Sequence, residues 1–419
     1  MDPTFTTFGA VTGFCVAIAL VLLRMQPAYS LMAGALVGGL VGGAGLAATM
    51  SHSIAGAQAM MPAVLRILAS GVLAGALIRT GSAERIADDI VGAFGSRFAV
   101  AAVALATLVV CAVGVFVDIS VITVAPIALA VARRAELSTS GILLAMIGGG
   151  KAGNIISPNP NTIATAEAFK VDLTSLMAAN LLPALVALAV TVVLAGWLAR
   201  RGPAPADDTL PTASDTRLPS LPGALAGPLA VIVLLAMRPL AGVAIDPFIA
   251  LPLGGVVAIL ATGHLRDGFA FAEYGLSKVA GVAILLVGTG TVAGIVKASS
   301  LQGDVVSLLN ALHLPTFVLA PVSGVLMAGA TASTTAGATI AAQTFAPALA
   351  DAGVAALGAA AMIHAGATVI DSLPHGSFFH ATGGAAFMDI RSRLRLIPFE
   401  AAIGLSATIA AVAVYLFRN

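Results

Sequence analysis

"GGGKAGNIISPNPNTIATAEAF", residues 148–169, sets a lysine, three asparagines, two prolines and a glutamate between long apolar runs. Pro158 and Pro160 each remove a backbone donor and disfavour helix at the residues that precede them, so an apolar helix cannot pass through unbroken. Broken backbone in hydrocarbon strands N–H and C=O groups, and it persists only where protein or a water-filled cavity satisfies them. Asn154, Ser157, Asn159, Asn161 and Thr162 are short polar groups that can bond the freed backbone or a ligand. The stretch predicts an unwound helix lining a solute pathway, with half-helix N-termini that suit an anion.

The rest of the chain sets that break in a membrane. Of 419 residues, 59% are hydrophobic and 9% charged, with a mean hydropathy of +1.04; a soluble domain carries about 25% charged residues. Forty-five glycines suit helices that pack backbone to backbone in lipid, and the long unalternating runs exclude a β-barrel. The expected class is an all-α, multi-pass protein of the inner (plasma) membrane. A net charge of +1 gives no reason to expect nucleic acid as a partner. Cys15 and Cys111 lie in apolar runs and read as small buried hydrophobes. The N-terminus lacks the positive start of a signal peptide, so the first apolar run is expected to stay as a spanning helix. No phosphate loop, "HExxH" or "GxSxG" elbow is present; the sequence predicts neither an enzyme nor a cofactor.

Runs near 20 residues, long enough to span, fall at about 5–23, 28–50, 62–80, 173–198, 222–237, 246–262, 277–297 and 398–417. Four further apolar regions are interrupted: 98–132 at Asp118, 139–169 at the opening stretch, 315–350 at "TASTT" and 353–390 at "DSLPHG". A Pro-, Asp- and Ser/Thr-rich linker at 199–220 divides the chain into 1–198 and 221–419. Residues 69–94 match 286–312, with Gly71 and Gly75 on Gly290 and Gly294. Each match is followed by an interrupted pair, and then 151–169 runs against 365–387, bringing Asn154 near Asp371 and Phe169 near Phe387. Two repeats are expected.

Basic residues orient them. If the linker is cytoplasmic and 98–132 and 315–350 are re-entrant hairpins, Arg24, Arg79, Arg85, Arg97, Arg133, Arg134, Arg200, Arg201, Arg217, Arg266, Lys278, Arg391, Arg393 and Arg395 gather inside. Lys170, Arg238, Lys297 and Arg418 stay outside, with Arg66 near that face. Each half then has about five transmembrane helices, one re-entrant hairpin and a broken helix. An odd number inverts the second repeat and puts both termini outside, and the four breaks should meet near the midplane, as in secondary transporters.

Each polar residue at the breaks also has a plainer reading. Asp118, or Thr334 or Thr335 in the second hairpin, could cap the helix that follows, and so could Asn161, Thr162 and Ser377. Lys151 needs a partner inside the membrane: Asp118 or Glu167 in a structural pair, or a substrate carboxylate. Single histidines such as His364, His375 and His380 are usually packed and hydrogen-bonded, and without a thiol or clustered carboxylate at ligand spacing they do not read as a metal site. The substrate-binding candidates are Lys151, Asn154, Ser157, Asn159, Asn161, Thr162, Ser333, Thr334, Thr335, Ser372 and His375. For proton coupling they are Asp118, Asp371 and Glu167, with Asp371 favoured because it stands where the other half has Asn154.

With these residues assembled, the chain resembles the gluconate permease family of gluconate:proton symporters, within the ion-transporter superfamily of inverted repeats with two re-entrant hairpins. "SGVLAGALIRTGSAERIADDIVGAFG", "FVDISVITVAPIALAVAR" with its hairpin Asp, the Pro-rich "SPNPNTIA" and the Thr-rich "TASTTAGATIAAQTFAP" carry the similarity, which runs from about residue 9 to 417 outside the linker. The resemblance implies uptake of a small hydroxylated carboxylate coupled to protons. Members of the superfamily commonly dimerise, so a homodimer joins the organic anion, protons and membrane lipid among the implied partners. Alternatives of other classes are a cation/proton antiporter or sodium-coupled carboxylate transporter, with Asp118 and Asp371 binding sodium, and a channel.

Overall fold

The computed structural model describes residues 5–23, 25–94, 98–205, 218–301, 303–304, 307, 311, 315–374 and 376–418. These form helices in the order α1 (Thr7–Leu22), α2 (Pro27–Val41), α3 (Gly45–Ala59), α4 (Met61–Arg79), α5 (Ser82–Phe94), α6 (Ala99–Ala112), α7 (Val117–Arg134), α8 (Thr139–Asn154), α9 (Pro160–Ala168), α10 (Leu173–Ala179), α11 (Leu181–Ala199), α12 (Leu221–Ala241), α13 (Pro247–Ala261), α14 (Gly268–Lys297), α15 (Leu319–Thr331), α16 (Thr334–Asp351), α17 (Ala356–Gly366), α18 (Ser377–Ala385), α19 (Ile390–Leu394) and α20 (Ile397–Arg418). No strand forms among the described residues beyond one bridge between Phe5 and Ser299. Met61–Arg79, Leu181–Ala199, Leu265–Lys297 and Ile390–Phe417 are long and apolar enough to cross a membrane. Most of the 199–220 linker, residues 206–217, lies outside the described residues, as do Arg24, Arg97, Arg217 and His375.

Two apolar runs that read as single spans are divided. The run at 28–50 turns between α2 and α3, where Gly43 (φ 96°) and Gly45 (φ 75°) leave helical geometry. The run at 173–198 breaks at Asn180, whose Nδ2 donates to the Ile155 carbonyl at 3.2 Å. That bond supplies a partner to a carbonyl freed by the Pro158/Pro160 break. The apolar run at 277–297 extends back to Gly268, giving a helix of 30 residues.

The order of elements recurs along the chain. A hairpin of 14 and 18 residues (α6, α7) leads to a broken pair of 16 and 9 (α8, α9) and then to α10 and α11. Later, a hairpin of 13 and 18 (α15, α16) leads to a broken pair of 11 and 9 (α17, α18) and then to α19 and α20. Details recur too: a left-handed residue turns each hairpin, Gly114 (φ 113°) and Ala332 (φ 45°), and another follows each broken pair, Lys170 (φ 52°) and Phe387 (φ 51°).

Helix α8 runs through the centre, every residue from Gly141 to Asn154 being buried. Its glycines have a packing reason. A Cβ on Gly149 would stand 2.0 Å from the Ala104 carbonyl oxygen, and one on Gly153 2.3 Å from that of Leu108, so α6 lies directly on the α8 backbone. The same device joins distant parts of the chain where α4 crosses α14. There a Cβ on Gly275 would stand 1.8 Å from the Gly71 carbonyl oxygen. Gly290 and Gly294, further along α14, pack instead on Gly56 and His52 of α3.

Candidate functional site

At the end of α8 the glycine-lined backbone delivers Lys151 to the segment that follows α17. Its Nζ donates to Asp371 Oδ1 at 2.6 Å and to the Thr368 carbonyl at 2.7 Å, with both charged side chains about 2–3% exposed. The partner is therefore neither Asp118 nor Glu167, which the sequence offered. Thr334, in the first turn of α16, donates to Asp371 Oδ2 at 2.5 Å, and Ser372 Oγ donates to Oδ1 at 3.0 Å. Asp371 therefore accepts from three side-chain donors, one of them charged. Taking two charges out of water costs several kcal/mol per ion, offset here by mutual attraction and these added hydrogen bonds.

Beside the pair lies a network built from the first break. Asn159 caps α9, its Oδ1 accepting from the N–H groups of Asn161 (3.1 Å) and Thr162 (3.2 Å) and from the Thr162 hydroxyl (3.2 Å). Its Nδ2 donates to the Asn154 backbone oxygen (3.0 Å) and to Asn154 Oδ1 (2.6 Å), which also accepts from Asn161 Nδ2 at 2.9 Å. Ser157 Oγ donates to the Cys111 carbonyl (2.7 Å), satisfying the turn of the first hairpin. The Thr335 hydroxyl donates to Asn161 Oδ1, closing the network onto α16. Asn154, Asn159, Asn161 and Thr162 thus form one network with Thr335, and Lys151 and Asp371 a second with Thr334, the two meeting at adjacent residues of α16.

Several expected caps are placed elsewhere. Ser333, not Thr334 or Thr335, caps α16, its Oγ accepting from Ala336 N at 3.3 Å. The cap residue of α9 is Asn159 rather than Asn161 or Thr162, and that of α18 is Gly376 rather than Ser377. Asp118 sits inside the first turn of α7, after the cap position held by Phe116. Negative charge at a helix N-terminus is favourable. Val117 beside it packs towards Gly150, so the first hairpin turn also borders the lysine-bearing helix.

Glu167 is carried away from Lys151 by α9 and pairs with Arg66 of α4, which also binds Asp246 by Nη2–Oδ2 (2.8 Å) and Nε–Oδ1 (3.1 Å). Asp246 caps α13. Sequence reasoning missed this three-residue cluster, because its members come from three separate segments. A cavity of about 180 Å³ lies beside it, and a larger one of about 690 Å³, mostly apolar, reaches Ile156 and Pro158 between α6, α10 and α12. Asp172, Thr174 and Leu235 line both. His364, one turn before Thr368, is fully buried with neither ring nitrogen paired.

An apolar helical chain whose interrupted helices bring an ion pair and an amide network to its buried centre has the organisation of a membrane transporter. The chain belongs to the GntP permease family: the family model for GntP family permeases matches residues 7–383. It is 52% identical over 412 residues, 98% of both chains, to an uncharacterized transporter of Haemophilus influenzae. It is 25% identical over 198 residues, 46% of this chain and 40% of the other, to an uncharacterized permease of the same organism. Its fold is similar to the YdaH transporter of Alcanivorax borkumensis, with a TM-score of 0.63, 16% identity, and coverage of 88% of this chain and 87% of that one. The protein is a multi-pass plasma-membrane permease and not an enzyme.

Proposed function

We propose that the permease is a proton symporter for a small organic anion, gluconate or another hydroxy or sugar acid. The observation that carries this is the buried Lys151–Asp371 pair, held by Thr334 and Ser372. A proton arriving at Asp371 removes its charge and leaves the Lys151 ammonium without a counter-ion. A substrate carboxylate then takes over that role, so the loaded site is again neutral overall. Proton alone would leave an unpaired buried cation, and anion alone an excess buried negative charge; either costs several kcal/mol. The electrostatics thereby favour the empty and the doubly loaded site, which is the requirement for coupling.

The recurring element order and the sidedness of the arginines support an inverted relation between 1–198 and 221–419, with 199–220 as the cytoplasmic linker. Ser157, Asn159, Asn161 and Thr162 on one side, and Ser333, Thr334, Thr335 and Ser372 on the other, form the walls of the site in this reading. The test is uptake by the purified protein in vesicles. A pH gradient, inside alkaline, should drive gluconate accumulation, and Asp371→Asn should abolish that accumulation while retaining exchange of anion for anion. Accumulation driven by sodium at constant pH would refute proton coupling.

A further inference from the structure

Resting on that reading, we infer that one side of α16 recognises the hydroxyl groups of the transported acid, through Thr339 and Gln343. In the helices of this protein a buried hydroxyl regularly donates to the carbonyl four residues earlier: Thr49 to Gly45, Thr107 to Val103, Thr165 to Asn161, Thr191 to Ala187, Thr289 to Leu285 and Thr408 to Gly404. Thr339 breaks this habit. It is fully buried in mid-helix and its Oγ1 has no partner. Gln343, one turn on, holds its Nε2 buried and likewise unpaired.

Both follow Thr335 at intervals of four, so the three positions lie along one side of α16 over roughly 12 Å at 1.5 Å per residue. Thr335 fixes where that side begins, because its hydroxyl bonds Asn161 at the amide network. Helix α9 packs along α16. At the network's other end Asn154 Nδ2 is buried without a partner. The row therefore offers unpaired donors on both sides of the Asn161–Thr335 junction, and Thr335 directly follows Thr334, which bonds the Asp371 partner of the lysine that the carboxylate would meet. A buried polar group left unpaired costs about 1–3 kcal/mol, and a polyhydroxylated chain is the solute that satisfies several at once. A site built to bond hydroxyls also rejects the analogue lacking them.

The test compares gluconate with hexanoate, which has the same carbon count and no further hydroxyls, by calorimetric titration of the purified protein. Wild type should bind gluconate and discriminate against hexanoate. Thr339→Val, close in shape but without the hydroxyl, should weaken gluconate about tenfold, the loss of one hydrogen bond, and leave hexanoate unchanged; Gln343→Leu should act in the same direction. Thr339→Ser should recover most of the affinity, which separates loss of the hydroxyl from loss of fold, and Thr289→Val serves as a control hydroxyl removal away from the row. Equal weakening of both ligands, unchanged gluconate affinity in Thr339→Val, or no recovery in Thr339→Ser would overturn the inference. Wild type that binds neither acid would instead remove the proposed substrate class itself.

Discussion

Lys151 and Asp371, 220 positions apart in the chain, meet in a 2.6 Å ion pair at the point where two interrupted helices face one another. The lysine arrives on a helix buried from Gly141 to its end, and the aspartate lies in the unwound segment after α17. One partner is therefore on regular backbone and the other on irregular backbone. Such a pair joins two parts of the molecule, the end of α8 and the segment after α17, through one buried contact.

That arrangement separates stability from function. Lys151→Met or Asp371→Leu alone leaves an uncompensated buried charge and should cost about 3–5 kcal/mol, whereas the double variant should recover most of this, because an apolar pair of similar volume is often neutral in such a place. Uptake should be lost in all three. Denaturation of the four proteins in one detergent, with uptake in vesicles beside it, measures the cycle; single variants as stable as wild type would show that the pair is not maintained in the membrane.

A second expectation concerns helix contact. Gly275 admits no side chain against Gly71, while Gly281, also on α14, has nothing within 4 Å of an added Cβ. Gly275→Val should destabilise severely, through overpacking that has no flexible atom to move. Gly281→Ala should be neutral or gain up to about 1 kcal/mol from helix propensity. Melting temperatures of the two variants decide this, and similar values would show that α4 and α14 are not in close contact.

Much of this was legible in the sequence, for a physical reason. Polar residues and prolines inside apolar runs announce backbone that cannot be helical in lipid, and so three of the four interruptions fell where the residues placed them; the first lies at residues 113–116, just before Asp118, where Gly114 turns the chain at φ 113°. The partner of Lys151 was not legible. Glu167 is far nearer in sequence than Asp371, but a helix turns it towards Arg66, and nothing local encodes which carboxylate folds back across the molecule. The division at Asn180 was hidden because the apolar pattern continues on both sides of it. Thr339 and Gln343 could have been noticed from their four-residue spacing after Thr335, yet only their buried polar atoms' lack of a hydrogen-bond partner singles them out.

Topology gives a third expectation. If the two halves are inverted, both chain ends lie on the side opposite the linker. After Cys15 and Cys111 are replaced by alanine, single cysteines at Thr6 and at Pro205 should react with an impermeant thiol reagent from opposite faces of sealed cells. Labelling of both from the same face would rule out the inverted arrangement.

The last expectation concerns acid and the Arg66 cluster. Asp246 titrates below the usual carboxylate range, chiefly because Arg66 hydrogen-bonds to it, with the Phe248 N–H adding to the effect against a modest cost of burial. A depressed folded value means that the carboxylate's contribution is present above its unfolded value, near 3.9, and is lost as pH falls through the folded one. The Asp246 side chain is 42% exposed, so solvent screening keeps the contribution to about 1 kcal/mol or less. Asp246→Asn should therefore lower stability by a small, constant amount from pH 8 to pH 5, and the gap to wild type should close below about pH 4. Because Arg66 ties α4 to both Glu167 and the start of α13 and lines the cavity of about 180 Å³ with Asp246, the same variant should loosen that cavity's wall, seen as faster hydrogen exchange in α9 at neutral pH. A stability gap that instead widens in acid would mean that Asp246 is not held by Arg66.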